Sequence, residues 1–174
     1  MTRSARHSMV VKTALAAVVA WGGSSAALAA PVEVNTANPQ RWSDLGATPR
    51  EEQQNLKALT GYLQREGARY VAPGQTLQIT LVDIDLAGEL RPSRRTGEDI
   101  RISRGMADWP RITLRWRLSG ADGSVVSSGE QVLSDLDYQR RLPSVRDGDP
   151  LKYEKRLLDD WLKARFGPTR HAGG

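Results

Sequence analysis

Thr76-Leu77-Gln78-Ile79-Thr80-Leu81-Val82-Asp83-Ile84-Asp85-Leu86 is the stretch that decides how this chain folds. From Thr76 to Leu81 apolar and polar residues alternate, the pattern of a strand with one buried face. The alternation then continues to Leu86 in the opposite phase: apolar residues are odd-numbered up to Leu81 and even-numbered from Val82 onward. Side chains of a strand switch faces at every residue, so an unbroken strand would carry Asp83 and Asp85 onto the face that buries Leu77, Ile79 and Leu81. Two unpaired carboxylates in a core cost several kcal/mol. Either a bulge near Leu81 resets the phase, or the sheet ends there and both acids meet solvent at its rim. Both routes put Asp83 and Asp85 at an edge or a mouth.

Working outward, Pro73-Gly74 punctuates the chain before this strand, and a long polar connection from Ala87 to Pro110 follows it. A structureless loop of that length is unusual, and Ile100-Arg101-Ile102 reads as a short strand within it. Arg111 to Leu118 alternates again, with Ile112, Leu114, Trp116 and Leu118 on one face and Arg111, Thr113, Arg115 and Arg117 on the other. Ser119-Gly120-Ala121-Asp122-Gly123 is a hairpin turn, and Ser124 to Leu133 returns as its partner, closing into Ser134-Asp135-Leu136-Asp137-Tyr138. Upstream, Val32-Glu33-Val34 begins a short strand. Thr48, Pro49 and Glu51 form a capping box with proline at the first helical position. Leu56, Leu59 and Leu63 give that helix one apolar stripe, and Gly67 is its stop. Asp149-Pro150 opens a second helix whose apolar face is Leu151, Leu157, Leu158, Trp161 and Leu162, ended by Gly167-Pro168. Strands in runs with only two helices predict an α+β fold: an antiparallel-rich sheet of four to five strands with two helices packed on one face.

Composition narrows the chemistry. The chain has 174 residues, no cysteine, and only two histidines, His7 and His171, both close to a chain end. Thiol nucleophiles, cysteine-ligated metal sites and a Ser-His-Asp triad are thereby excluded. Residues 1–29 read as a cleaved secretory signal: Arg3, Arg6 and Lys12, then the apolar run Thr13 to Trp21, then the small-residue site Ala27-Leu28-Ala29. That run is too short to span a bilayer, and no twin arginine precedes it, which favours the general secretion route and a periplasmic address. The expected organisation is a signal at 1–29, one domain at 30–168 and a flexible tail at 169–174. The signal carries three basic residues and no acid, so its removal lowers the formal net charge from +5 to +2. Nucleic-acid binding resting on basicity loses its support.

Several runs resemble a known family. They are Pro73-Gly74-Gln75-Thr76-Leu77, Val82-Asp83-Ile84-Asp85-Leu86-Ala87-Gly88-Glu89, Trp109-Pro110-Arg111-Ile112, Ser134-Asp135-Leu136-Asp137-Tyr138, and Tyr153-Glu154-Lys155-Arg156-Leu157-Leu158 with Trp161. Together they are similar to the domain of unknown function 3016 family, small exported proteins of Gram-negative bacteria. The resemblance spans roughly Val32 to Phe166. It implies a periplasmic address and a single domain, and it carries no catalytic residues or cofactor across.

Two groups of residues are candidate binding positions. Asp83 and Asp85, with Glu89 beyond them, and Asp135 with Asp137 form two Asp-x-Asp pairs, each closing a strand. Residues two apart on a strand share a face about 6.6 Å apart, and two such pairs meeting at one rim would suit a hard divalent cation or glycosidase-like acid–base work. Acids at strand ends also cap turns and pair with arginines. The second group is Arg111, Arg115 and Arg117, with Trp109 just before them. Arginine forks suit phosphate and carboxylate, although like charges on one strand commonly pair with acids on the next. The expected function is a non-enzymatic binding or accessory module of the cell envelope, without cofactor or metal. Its expected partner is an envelope protein or an anionic envelope component, with no nucleic acid and no transmembrane segment after signal cleavage. The alternative is a small carboxylate- or metal-dependent hydrolase acting on envelope polymers, which requires Asp83, Asp85 or Glu89 to converge with Asp135 or Asp137 in a concave site.

Overall fold

The computed structural model describes residues 31–168 apart from Thr96, Glu98, Met106 and 141–147. The expected signal and tail therefore lie outside the described residues. In chain order the elements are β1 (Val32–Thr36), α1 (Pro49–Gly67), β2 (Thr76–Asp85), β3 (Glu89–Pro92), β4 (Asp99–Ile102), β5 (Arg111–Ser119), β6 (Val125–Ser134) and α2 (Lys152–Phe166). Short 3-10 turns follow β1 and α1. One sheet has the order β1-β2-β5-β6, parallel between β1 and β2 and antiparallel elsewhere; β3 and β4 form a separate two-stranded ribbon. The α+β class and the antiparallel-rich sheet are as expected.

The phase reversal in β2 is resolved by a bulge. Leu81 pairs with Leu114 and Asp83 with Thr113, so Val82 is the extra residue. Leu77, Ile79, Leu81 and Ile84 are all fully buried on one face, and Asp83 and Asp85 turn to the other. On the buried face these residues join Ile112, Leu114 and Trp116 of β5, Leu59 and Leu63 of α1, and Leu158 and Leu162 of α2 in one core. Both helices lie on that side. Among the described residues the opposite face carries no α-helix, and Arg111, Arg115 and Arg117 are exposed on it.

Local signals account for most boundaries. Thr48 Oγ1 accepts from the Glu51 N–H at 3.2 Å, while the Glu51 carboxylate accepts from Ala47 N–H at 3.0 Å, so the capping box closes one residue early. Gly67 does not stop α1 by adopting a left-handed conformation. Its φ is −60°, the chain passes straight into a 3-10 turn, and a Cβ there would meet the Val32 methyls at 3.3 Å. Glycine there allows the close approach of α1 to β1, which a Cβ would crowd. α2 begins at Lys152, later than the Asp149-Pro150 start. The Asp149 carboxylate instead accepts from Leu151 N–H at 2.9 Å and pairs with Lys155, bracing the turn that precedes the helix.

Candidate functional site

The open face of the sheet is built by alternation on β5. Arg111, Arg115 and Arg117 point away from the core because Ile112, Leu114 and Trp116 point into it. In the register Arg111 lies between Asp85 and Ser134, Arg115 between Thr80 and Glu130, and Arg117 between Gln78 and Ser128. Arg115 reaches Glu130 at 3.6 Å, a solvent-exposed pair that contributes little. Arg117 faces no carboxylate in either neighbouring strand. A shallow depression of about 350 Å³ opens beside this row, lined by Asn38, Arg41, Trp42, Asp83 and Arg115 among others. Trp42 is anchored there by its indole N–H, which donates to the Ala37 carbonyl at 2.9 Å.

Asp83 and Asp85 are on this same open face, Asp83 held by its side chain and Asp85 flanked through its backbone. Asp83 accepts from the Ser43 backbone N–H at 2.7 Å and from its hydroxyl at 2.9 Å. The chain at Asp44 runs alongside Asp85 as a parallel bridge, with Asp44 N–H donating to the Ile84 carbonyl and Leu86 N–H to the Asp44 carbonyl. Burial and then the nearby Asp44 carboxylate push the Asp85 carboxyl above its ordinary range, and Arg111 partly offsets them. Asp44 itself receives both terminal nitrogens of Arg101, at 2.8 and 2.9 Å. Arg101 also donates to the Gly88 carbonyl at 3.2 Å, which ties the β3–β4 ribbon to the end of β2.

In the other Asp-x-Asp pair only Asp135 turns toward the helix layer. Asp135 accepts from Arg156 of α2 at 2.9 Å, both side chains almost fully buried, and its second oxygen caps the Asp137 N–H at 3.1 Å. Arg156 also donates to the Tyr138 carbonyl at 2.6 Å. Asp137 is exposed, and Glu89 is exposed and paired with Arg91. The two acid pairs are thus drawn apart: Asp83 toward Ser43, Glu89 toward Arg91, Asp135 toward α2. Among the described residues no group of three His, Cys, Asp or Glu is placed to hold a metal ion. Trp109 is half-buried between the buried Asp108 and Pro110, beside the arginine strand.

Sequence reasoning missed the most buried charges. Glu154 is 1 % exposed; its Oε1 accepts from Ala87 N–H at 2.7 Å and its Oε2 has no hydrogen-bond partner among the described residues. Burial pushes its carboxyl well up. The signal was available: Leu151, Glu154, Leu158 and Trp161 fall at three- and four-residue steps, so Glu154 sits within the apolar stripe of α2. With Gly88 the geometry closes into a hub. Gly88 has φ +91°, its N–H donates to the Asp108 carbonyl at 2.9 Å, and a Cβ would lie 2.9 Å from Ser103 Oγ. Ala87 thus meets Glu154, and Asp135 and Tyr138 meet Arg156, so three of the runs that carry the family resemblance come together at α2.

No helix of the described residues is long and apolar enough to cross a membrane. The family described as protein of unknown function (DUF3016) matches residues 30–164. No curated protein and no solved structure matches the chain.

Proposed function

The chain belongs to the DUF3016 family, and from that premise we propose that it is a non-enzymatic binding or accessory module of the cell envelope, exported to the periplasm, whose docking surface is the open sheet face bearing Arg111, Arg115 and Arg117. The observation that carries this reading is the uncovered arginine row itself. Three guanidinium groups stand exposed on one strand, opposite the helix layer, and Arg117 has no facing acid. Planar, permanently charged forks recognise phosphate and carboxylate, so the fitting partner is an anionic envelope component or an acidic protein surface. The residues that tie the sheet to α2 are spent on structure: Asp135 is consumed by Arg156, and Glu154 is sealed in the interior. The leader read at residues 1–29 supports the periplasmic address.

Co-sedimentation of the purified protein with phosphatidylglycerol vesicles and with peptidoglycan sacculi tests this. At low salt one of the two retains the protein, retention falls as ionic strength rises, and Arg111→Gln/Arg115→Gln/Arg117→Gln weakens it at least tenfold. Failure of both supports to retain the protein, or unchanged retention of the triple variant, overturns the reading.

A further inference from the structure

Among the described residues β6 is an edge strand whose outer side is open, since its one neighbour there in the sheet is β5. Natural edges are guarded by lysines, prolines or short length. This one has ten residues, Val-Val-Ser-Ser-Gly-Glu-Gln-Val-Leu-Ser, with no Lys, Arg or Pro and Glu130 as its single charge. Its guard is a bulge at its start, where Leu118 pairs with Ser127 and Ser119 with Val125. Val125, Val126 and Val132 are 47, 55 and 59 % exposed along it. A groove of about 440 Å³ runs beside the strand under α2, lined by Gln131, Leu133, Asp135, Trp161 and Arg165 among others.

We propose that β6 pairs antiparallel with β6 of a second copy of this chain, joining two four-stranded sheets into one of eight strands. Antiparallel pairing of identical edges requires a two-fold axis perpendicular to the sheet, so same-face residues meet and one residue lies on the axis. An axis at Glu130 sets two carboxylates face to face. Axes at Ser128 or Gln131 press Glu130 against Val126 or Val132. An axis at Gly129 instead sets Glu130 of the second copy opposite Ser128, and Ser128 stands opposite Arg117 in the register. Arg117, which faces no carboxylate directly in either neighbouring described strand, then receives one across a short serine side chain. The same register brings the exposed Val132 against the second copy's Val126. Gly129 suits the axis, since Trp116 lies over it and a Cβ would meet that ring at 3.2 Å. Both arginine rows then share one face. The pairing rests on the β6 edge and not on what the arginines bind.

Sedimentation velocity of the purified protein over a concentration series tests it, with Val132→Lys and Glu130→Lys as variants. Both substitutions are at exposed positions, and circular dichroism reports that each variant is folded. The expected result is twice the chain mass for the parent protein and at least tenfold weaker self-association for each variant. Because the chain has no cysteine, Ser127→Cys/Gln131→Cys reads the register: positions 127 and 131 of one chain lie about 13 Å apart along the strand, beyond disulfide reach, whereas the proposed axis sets each opposite the other across the seam. Oxidation should yield a covalent dimer from the double variant and none from Ser128→Cys. A monomer at every concentration, a dimer indifferent to Val132→Lys, or cross-linking through Ser128→Cys overturns the proposal. Loss of vesicle or sacculus binding leaves it intact, because the two readings fail separately.

Discussion

Glu154 is the residue whose protonation the fold controls most directly. A carboxyl buried against Ala87 N–H with one oxygen unpartnered holds its proton more tightly than in the unfolded chain. The folded state therefore binds more protons than the unfolded state above the ordinary glutamate range, and stability falls as pH rises from that range through the raised value. Asp85 and Asp159 are shifted in the same direction, each chiefly by burial. Glu154→Gln keeps an acceptor for Ala87 N–H and removes the charge, so denaturation followed across pH 4 to 8 should show a flatter profile and greater stability than the parent at the alkaline end. Arg156 is the complementary case. Truncating it to alanine strands the buried Asp135 carboxylate and the Tyr138 carbonyl, an expected loss of about 3–5 kcal/mol in urea unfolding. These two residues were the least legible in the sequence. Charged residues of a helix are read as solvent-facing by default, and their partners lie 67 and 21 residues away along the chain.

Elements whose signals are local read well. The N-terminus of α1 is set by Thr48, Pro49 and Glu51, and Thr48→Ala should cost about 1 kcal/mol in thermal unfolding by removing the acceptor for Glu51 N–H. The phase reversal was legible because an unbroken strand would bury Asp83 and Asp85; it left a bulge or a sheet end as the two ways out, and the ladder takes the first, with one extra residue at Val82. β3 was not legible. Glu89-Leu90-Arg91-Pro92 carries two charges and a proline, and it forms a strand because Arg101 of β4 is clamped by Asp44 and Gly88. α2 starts two residues later than Asp149 as an N-cap implies, because the Asp149 carboxylate braces the preceding turn.

Across the whole molecule, both helices and all four strands of the main sheet share one core, so stability concentrates where they meet. Leu158 is fully buried there. Leu158→Ala should cost about 2–5 kcal/mol, read as a lower urea midpoint with the same slope if the fold is retained. Among the described residues this one-sided arrangement leaves the far face of the sheet without a helix, and the arginine row is exposed on it.

The sequence by itself determined the α+β class, the strand faces, the phase reversal in β2, the first helix and the arginine row, since each follows from side-chain alternation or from residues within one turn of each other. Tertiary structure alone decided that β1 lies parallel to β2, that Asp135 turns to Arg156 while Asp83 turns to Ser43, and that Glu154 is entombed. Those outcomes depend on which distant segments meet, and a one-dimensional pattern specifies the faces of elements but not their neighbours.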